Sequence, residues 1–488
     1  MRHHVLVLAF TLLVFAGAVT APRAMPEGKT IGVEALRQDF ADLYRQLQAS
    51  HFDLHARRSR AEYDALYRSM MEGFTKPLTA FETRIAFQKF VAFGRVAHAN
   101  IAFPSDAWSA FREAGGRAFP LTVRVLKGRA FVQANGSGVG TISQGDELLS
   151  INGFPTHDVL RRLSAHLSAD NDYMAGTMLE SRFPVLLWAE LGALNHFDLV
   201  VGRGGSTLKA KVPARTRPDT IAAMKLQPPV LDLDWDKREF RILPDGAGYL
   251  RPGPFYNNEP GALNMWDTAA FRSFIDQAFT SFLTAHVKSV VIDLRDNPGG
   301  DNSFSDLMVS WYATRSYRFA SDFRIRMSPA AVETNARRVA QSPGDKDSIS
   351  FKLATAYARH RMGEVFSFEI PEATPRAGTR FTGKVYLLVN RRSYSNAVQV
   401  AALSQDYGFA KILGEETSDL ATTLGAMEQF TLPRTGIDVG FPKALIVRAN
   451  GSLAPRGVVP DVAIETPVIE AANDPVLARA LEVVRRGQ

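Results

Sequence analysis

SVVIDLRDNPGG, at residues 289–300, is the stretch that decides the fold of the second half of the chain. Its first residues form an apolar run of strand length, and the helical pattern NSFSDLMVSWYA follows. A strand pattern in GAGYLRPGPF and a helical pattern in MWDTAAFRSFIDQAFTSFLTAH precede it, and the strand patterns KVYLLV and AKILGE come later. Alternating strands and helices with apolar strands predict an α/β domain with a parallel, helix-covered sheet.

The first half of the chain has two other patterns. Residues 22–115 have apolar side chains at helical spacing and predict a helical domain, whereas the spacing typical of strands begins near residue 119. GDELLSING, at 145–153, combines a β-run with an Asn-Gly turn and precedes an amphipathic helix. It resembles a PDZ domain, and we expect a PDZ-like β+α domain over 116–214.

The remaining boundaries follow from composition. Paired prolines make 215–234 a predicted linker, and the α/β domain then spans 235–470. Residues 318–380 interrupt its alternation and predict an insertion with the polar hinge SPGDKDS, while 471–488 predict a terminal helix capped by Asn473 or Asp474.

Composition limits the classes of function. The chain of 488 residues has a net charge of +7 and no Lys/Arg block longer than two, so no nucleic-acid partner is expected. MRHH, the apolar residues 5–19 and small residues after them predict a signal peptide over 1–21, with an uncleaved anchor as the alternative. No other segment approaches the length of a membrane span. We therefore expect an exported protein, periplasmic or secreted. The absence of cysteine excludes disulfides, thiolate catalysis and Cys-ligated zinc.

Two loops carry residues suited to nucleophilic chemistry. Gly299 and Gly300 follow a buried strand, where their N–H groups can approach a ligand and form an oxyanion hole; the alternative is a plain turn with a glycine cap. Ser395 lies in VNRRSYSNAVQVAAL, between the strand KVYLLV and a helix. Either Ser393 or Ser395 caps that helix, or Ser395 is a nucleophile with the N–H of Asn396 beside it.

Four motifs together resemble a known family. DLRDNPGG, SYSNAV, YGFAKILGEETS and GVVPDV follow one another in the order found in C-terminal processing peptidases, whose relatives include the tricorn core protease and the interphotoreceptor retinoid-binding protein repeats. The resemblance implies a crotonase/ClpP-like catalytic domain, with a PDZ module in most members. It also implies that Ser395 is the nucleophile and that Asn396 and Gly299 or Gly300 supply the oxyanion hole.

The chain departs from the processing-peptidase pattern at the base. The lysine of that branch corresponds to Leu420 here, which cannot accept a proton. The tricorn branch uses a histidine instead, and its motif is similar to GRVAHANIAF, which implies His98 as the base; the alternative is a packed histidine at a helix end. That branch also has a glutamate where this chain has Ala454. The third member is therefore unidentified. Three nearby acidic residues are candidates for it, although solvated loop charges are the preferred interpretation: Glu415, Glu416 and Asp419.

Some features favour structural explanations. Arg391 and Arg392 could bind a substrate carboxylate, although solvated loop charges are the preferred interpretation. His51 and His55 have the spacing of a metal pair but no accompanying acidic ligands, so no metal and no cofactor are expected.

The sequence thus predicts a serine-type peptidase that cleaves peptides or proteins through an acyl-enzyme on Ser395, with His98 as base. The alternatives are a catalytically inactive binding protein for peptides or apolar ligands, and a PDZ-based interaction module. The oligomeric state is left open.

Overall fold

The computed structural model describes residues 30–341, 344, 346 and 348–487. The predicted signal peptide and most of the predicted polar hinge lie outside the described residues. Contacts divide the chain into two units. The first contains the residues up to Pro228 together with Arg324–Phe368 and Leu424–Leu445, and the second contains Pro229–Phe323, Glu369–Thr423 and the residues from Ile446 onward.

The described residues form the following strands and helices. The strands are β1 Thr30–Ile31, β2 Leu78–Thr79, β3 Leu121–Leu126, β4 Arg129–Asn135, β5 Glu147–Ile151, β6 Phe154–Pro155, β7 His196–Arg203, β8 Ser206–Pro213, β9 Glu239–Ile242, β10 Gly248–Arg251, β11 Ser289–Asp293, β12 Ala320–Arg326, β13 Val365–Ser367, β14 Lys384–Val389, β15 Lys411–Gly414, β16 Thr423–Thr431, β17 Asp438–Arg448 and β18 Val462–Ala463. The helices are α1 Val33–Ser50, α2 Arg60–Gly73, α3 Ala80–Ala92, α4 Ser105–Glu113, α5 Thr156–Ser164, α6 Asp172–Leu191, α7 Arg217–Met224, α8 Ala269–Thr284, α9 Asn302–Val309, α10 Pro329–Gln341, α11 Ile349–Tyr357, α12 Asn396–Asp406 and α13 Pro475–Gly487.

Helices α2 and α3 begin at clear sequence signals. Ser59 and Thr79 form capping boxes with Glu62 and Glu82, so α2 and α3 start where their sequences satisfy the free N–H groups of the first turn. Their apolar faces pack with α1 around Phe40, whose ring contacts several other aromatic rings. These helices lie within the segment predicted as a helical domain, whose bounds stay a prediction, and α4 was not predicted.

The next part of the first unit contains the order β3-β4-β5-β7-β8, with β6 paired to β5. Asn152 and Gly153 have φ values of 51° and 80°, which form the tight turn predicted between β5 and β6. Helices α5 and α6 pack on this sheet through one apolar core. The hairpin-and-helix pattern is present, whereas the PDZ-like assignment stays a prediction. Helix α7 lies inside the segment predicted as a linker.

The insertion and a late hairpin form a second sheet of the first unit, in the order β13-β12-β17-β16. Helices α10 and α11 lie between β12 and β13 in the chain and pack against each other. Glu428 on β16 is buried and binds both Arg338 of α10 and Lys443 of β17. The predicted insertion therefore has secondary structure of its own.

The second unit contains the predicted parallel sheet. Its order is β18-β15-β14-β11-β10-β9, in which β9 alone runs antiparallel to its neighbour. One face carries α8, α9 and α12, whereas α13 covers the other face. Val290 and Ile292 point into the first core and Val291 into the second, so both faces of β11 are buried and its sequence is continuously apolar.

The mixed α/β class is thus confirmed, and the crotonase-like detail stays a prediction. Within the described part of the chain, no helix has the length and apolar character needed to cross a membrane.

Candidate active site

Strands β11 and β14 are neighbours in the parallel sheet, and the loops at their carboxyl ends meet. Leu294 donates its N–H to Leu388 O at 2.8 Å, and Tyr394 donates to Asn297 O at 2.9 Å. The Ser393 hydroxyl donates to Leu294 O at 2.7 Å. Ligand sites of open α/β sheets lie at this edge, so the fold brings the two predicted loops together where chemistry is expected.

Arg295 fixes the loop after β11. Its guanidinium binds Asp293 at the end of the strand and Asp474 just before α13, with Nη1 2.8 Å and Nη2 2.7 Å from the Asp474 oxygens. Burial opposes ionisation of Asp293, but Arg295 and Arg251 hold its pKa below the ordinary value. Asp474 also accepts the N–H of Leu477, so it caps α13 as predicted.

Asn297 and the glycine pair shape the end of this loop. Asn297 donates to Gly253 O at 2.7 Å and accepts the N–H of Gly299 at 2.8 Å. Gly299 and Gly300 have φ values of 84° and 136°, which side chains rarely adopt. The loop therefore needs glycine at both positions for its backbone conformation alone.

Gly299 also lies directly against the serine turn. A Cβ atom there would be 2.6 Å from Tyr394 O, 2.7 Å from Asn396 N and 2.8 Å from Ser395 Cβ. A Cβ at Gly300 would collide with the backbone of Phe255. Because glycine has no side chain, the backbone of this loop can approach Ser395 closely. A plain turn with a glycine cap would not require such a close approach.

Ser395 has a strained backbone. Its φ is 51° and its ψ is −121°, and its side chain does not cap α12. A serine in such a conformation between a strand and a helix has the geometry of a nucleophile elbow, which presents the hydroxyl at the edge of the sheet. Ser395 is half-buried, and its hydroxyl has no hydrogen-bond partner among the described residues. The helix-cap interpretation is wrong for both serines. The Ser395 side chain does not cap α12, and the Ser393 hydroxyl donates to Leu294 O in the neighbouring loop.

Two backbone donors stand near this serine. In the part of the chain that the structure describes, the N–H groups of Asn396 and Gly300 have no protein acceptor. The Gly299 N–H is bound to Asn297, so Gly300 is the freer donor of the pair. Asn396 begins α12 and its side chain donates to Ser305 Oγ at 2.9 Å, which holds the first helical turn in place.

Asp419 contacts the serine turn directly. Its Oδ2 accepts the N–H of Ser395 at 2.6 Å, and its Oδ1 accepts the N–H of Leu420 at 2.9 Å. The side chain is fully buried, and burial raises its pKa to about 7 although both N–H groups act against the rise. The prediction of a solvated loop charge is therefore wrong for Asp419. The sequence around it offers no sign of this burial.

The other charges of these loops are paired. Arg391 is only 5% exposed, and its Nε lies 2.9 Å from Glu415 Oε1, so neither is the predicted solvated charge. Arg392 Nη1 lies 3.5 Å from Asp296. Glu416 pairs with Arg456 near the surface. The arginines thus have structural contacts, and their role in binding a substrate stays a prediction.

His98 belongs to the first unit, where it is 5% exposed and lies in the loop after α3. Burial lowers its pKa, while the negative charge of Asp170 and a bond to the backbone of Leu424 oppose that change. The imidazole is therefore neutral near pH 7 and able to accept a proton. Leu420, in the position of the missing lysine, is a buried apolar side chain.

Residues 259–464 match the model of peptidase family S41. This segment contains both loops, the glycine pair and Ser395. The comparison supports the S41 family of serine peptidases for this segment. The match supports serine peptidase activity and agrees with the family resemblance seen in the four motifs. No match was found among curated proteins.

Solved structures have a similar fold along most of the chain. Mature CPAF complexed with lactacystin has a TM-score of 0.64 and 17% identity, over 93% of this chain and 98% of that one. Mature CPAF alone has a TM-score of 0.63 at 17% identity, over 93% and 96%. The photosystem II D1 C-terminal processing protease, at 15% identity over 88% and 93%, has a TM-score of 0.42, too low for any argument.

Proposed function

We propose that this S41 peptidase hydrolyses peptide bonds through an acyl-enzyme on Ser395. The observation that carries the proposal is the strained, half-buried serine at φ 51°, packed against Gly299. Backbone strain of this kind costs about 1–3 kcal/mol and persists where function requires the geometry. Peptides or proteins are the substrates, in accordance with the family.

The loops supply the groups that acyl transfer needs. Ser395 Oγ attacks the peptide carbonyl carbon, and the negative oxygen that forms accepts hydrogen bonds from the N–H groups of Asn396 and Gly300. The positive end of α12 adds to this stabilisation. The proton of the hydroxyl passes through the base to the leaving amine, and water then hydrolyses the ester.

His98 is the proposed base, because its lowered pKa keeps the ring neutral and ready to accept the serine proton. Asp419 is a second candidate, favoured by its contact with the Ser395 N–H and its pKa of about 7. The variants His98→Ala and Asp419→Asn separate the two. Loss of the base lowers kcat/KM by at least about a hundredfold, whereas loss of the other group leaves the rate within about tenfold of the wild type.

A fluorophosphonate probe tests the nucleophile. We expect labelling of the wild type and none of Ser395→Ala, with hydrolysis reduced by about a thousandfold or more. Ser393→Ala is the matched control, because it removes a hydroxyl from the same turn and should still be labelled. Labelling that persists in Ser395→Ala would overturn the assignment of the nucleophile.

An inactive binding protein for peptides or apolar ligands is the second candidate function. Leu420 favours it, since a buried leucine stands where the processing branch has its lysine. A wild-type chain that binds peptides, resists the probe and cleaves none of them would establish this alternative.

Export is also part of the proposal, on the basis of the basic start and the apolar residues 5–19. Cell fractionation tests it: the mature chain should appear outside the cytoplasm and lack its first residues. Retention of the full-length chain in the cytoplasm would contradict export without affecting the nucleophile.

A further inference from the structure

Strand β9 forms one edge of the parallel sheet in the second unit. It pairs with β10 on one side, and none of the described strands pairs with it on the other. Leu243 donates its N–H to Ala247 O at 2.8 Å just beyond this strand pair, and successive residues of an antiparallel strand bond alternately to its two sides. The N–H and C=O groups of Phe240 and Ile242 therefore point away from β10. Such an edge can accept a further strand.

A groove of about 1000 Å³ lies beside this edge, lined by Ile242 of β9 and by α8. Ile242 is 44% exposed, whereas Phe240, on the same face of the strand, packs against Phe274 and Phe282 of α8. Small or hydroxyl-bearing side chains form much of the α8 wall: Ala269, Ser273, Thr280, Ser281, Thr284 and Ala285. The groove therefore leaves room for a second helix beside α8 once a strand is added to β9.

The other face of β9 carries opposite charges two positions apart. Arg241 Nη1 lies 3.0 Å from Glu239 Oε1, and the two side chains are 46% and 24% exposed. The Arg241 guanidinium also lies over the ring of Tyr249, 4.3 Å from its centroid, which holds it on this face. Lys237, just before the strand, is a further partner of Glu239 at 2.6 Å. Both charges of the strand are thus ordered, and both still reach solvent.

These charges make β9 complementary to a second copy of itself. Two antiparallel copies related by a twofold axis across the sheet keep their faces aligned, so the axis passes between one residue and its own counterpart. Two such registers pair three of the four residues of β9. The register centred on Arg241 sets two arginines opposite each other, whereas the register centred on Phe240 sets Glu239 of each copy opposite Arg241 of the other. Facing positions favour opposite charges over like charges, which selects the second register.

The interface has to extend beyond the strands. A stable interface buries about 800 Å² on each partner, which is more than two strands of four residues cover. In the joined sheet the two α8 helices lie on the same face, one on each side of the twofold axis, and the 16 residues of each extend over about 24 Å. The small side chains of the groove let these helices approach, so that Ile242 of each copy is covered.

We propose that β9 and the groove along α8 form the interface of a homodimer, in which two copies of the chain pair through β9 in the register centred on Phe240 and join their sheets. The partner is a second copy of this chain. The proposal concerns assembly and does not depend on the chemistry of Ser395.

Engineered cysteines test the register, and the chain has no cysteine of its own to interfere. In the proposed register, positions 239 and 241 of different copies form a non-hydrogen-bonded pair with Cα atoms about 4.5 Å apart, which suits a disulfide. We expect an oxidised mixture of Glu239→Cys and Arg241→Cys to give a covalent dimer that contains one copy of each. Each variant alone should give little, because equal positions are about 7–8 Å apart.

Leu263→Cys is the control for this experiment, because the position is fully exposed in the same unit, and it should not crosslink to Glu239→Cys. A mixture of Glu239→Cys and Arg241→Cys that crosslinks no better than either variant alone would overturn the register.

Sedimentation equilibrium measures the association itself. We expect the wild type to dimerise, and Glu239→Arg or Arg241→Glu to raise the Kd of the dimer by about tenfold or more, since each sets like charges opposite each other. The double variant Glu239→Arg/Arg241→Glu restores opposite charges, so its Kd should return to within about threefold of the wild-type value, which misfolding of the single variants does not explain. A monomeric wild type, or a double variant that associates as weakly as the single ones, would overturn the proposal.

Discussion

Ser393 and Ser395 lie two positions apart in one turn, yet their surroundings are opposite. Ser393 is fully buried, donates to Leu294 O and accepts the N–H of Asn390 at 3.1 Å, so its hydroxyl is saturated. Ser395 is half-buried and strained, and its hydroxyl is left unbonded by the described residues. The first serine holds two loops together, and the second is the proposed nucleophile.

The comparison teaches that the strain is supported from outside the turn. Gly299 packs under Ser395, Asp419 binds its N–H, and Ser393 fixes the preceding residues. Each contact can be removed separately. The expected effects decrease in the following order.

Gly299→Ala should have the largest effect on activity, because a Cβ would meet Ser395 Cβ and the Asn396 N at 2.8 and 2.7 Å. We expect kcat/KM to fall by about a hundredfold or more, since a misplacement of about 1 Å in a site costs that much. Gly261→Ala is the control, with φ +80° and open space around it, and should leave kcat/KM unchanged. Equal activity of the two variants would contradict the role of Gly299.

Asp419→Asn should remove a pH dependence of stability. The folded protein holds the proton of Asp419 up to about pH 7, whereas the unfolded chain releases it near 3.8, so the free energy of unfolding falls as pH rises between these values. The full decrease is about 4 kcal/mol. Urea unfolding from pH 4 to pH 8 should show a shallower slope in Asp419→Asn than in the wild type.

Asp198→Asn serves as the control for that measurement, because its side chain is 66% exposed. It should keep the slope of the wild type. The burial of Asp419 would be refuted by an unchanged slope in Asp419→Asn.

Ser393→Ala should lower stability by about 1–3 kcal/mol, because Leu294 O and the Asn390 N–H lose a buried partner. The hydroxyl takes no part in acyl transfer, so the probe should still label the folded variant. Denaturant unfolding measures the first effect. A loss of labelling at full folding would show that the two serines are not separate in function.

Ser395→Gly should have the smallest effect, and it should raise the free energy of unfolding where the other substitutions lower stability or activity. Glycine adopts φ 51° without the strain that a Cβ imposes, so this variant should be more stable than Ser395→Ala by about 1 kcal/mol or more. Both variants lack the hydroxyl, and the difference in unfolding free energy therefore isolates the strain. Equal stability of the two variants would mean that the backbone at position 395 is not strained.

Much of this fold was predictable, because buried parallel strands have distinctive sequences. The predicted strand KVYLLV has the bounds of β14, and the apolar run before DLRDNPGG is β11. Helix α6 was not predicted, because it has no single apolar face that periodicity could detect. The helix is buried on several sides, and it contains Pro184. Helix α7 had a signal, because Thr216 accepts the N–H of Asp219 as an N-cap and Pro218 lies in the first turn.

The candidate site was predictable only in part. Ser395 and the glycine pair follow from motifs, because each needs a particular residue type at a strand end. The role of Asn297 in occupying the Gly299 N–H, and the burial of Asp419 beside Ser395, depend on loops that are distant in sequence. Local patterns do not contain such pairings, and a charged residue in a polar loop resembles a solvated one.

The double ion pair of Arg295 has a consequence for the order of events during synthesis. Its second carboxylate, Asp474, is added to the chain 179 residues after the arginine. Until α13 has left the ribosome and packed on the sheet, Arg295 has only one of its two carboxylate partners, Asp293. A nascent chain therefore cannot form both ion pairs of Arg295 before Asp474 has been synthesised.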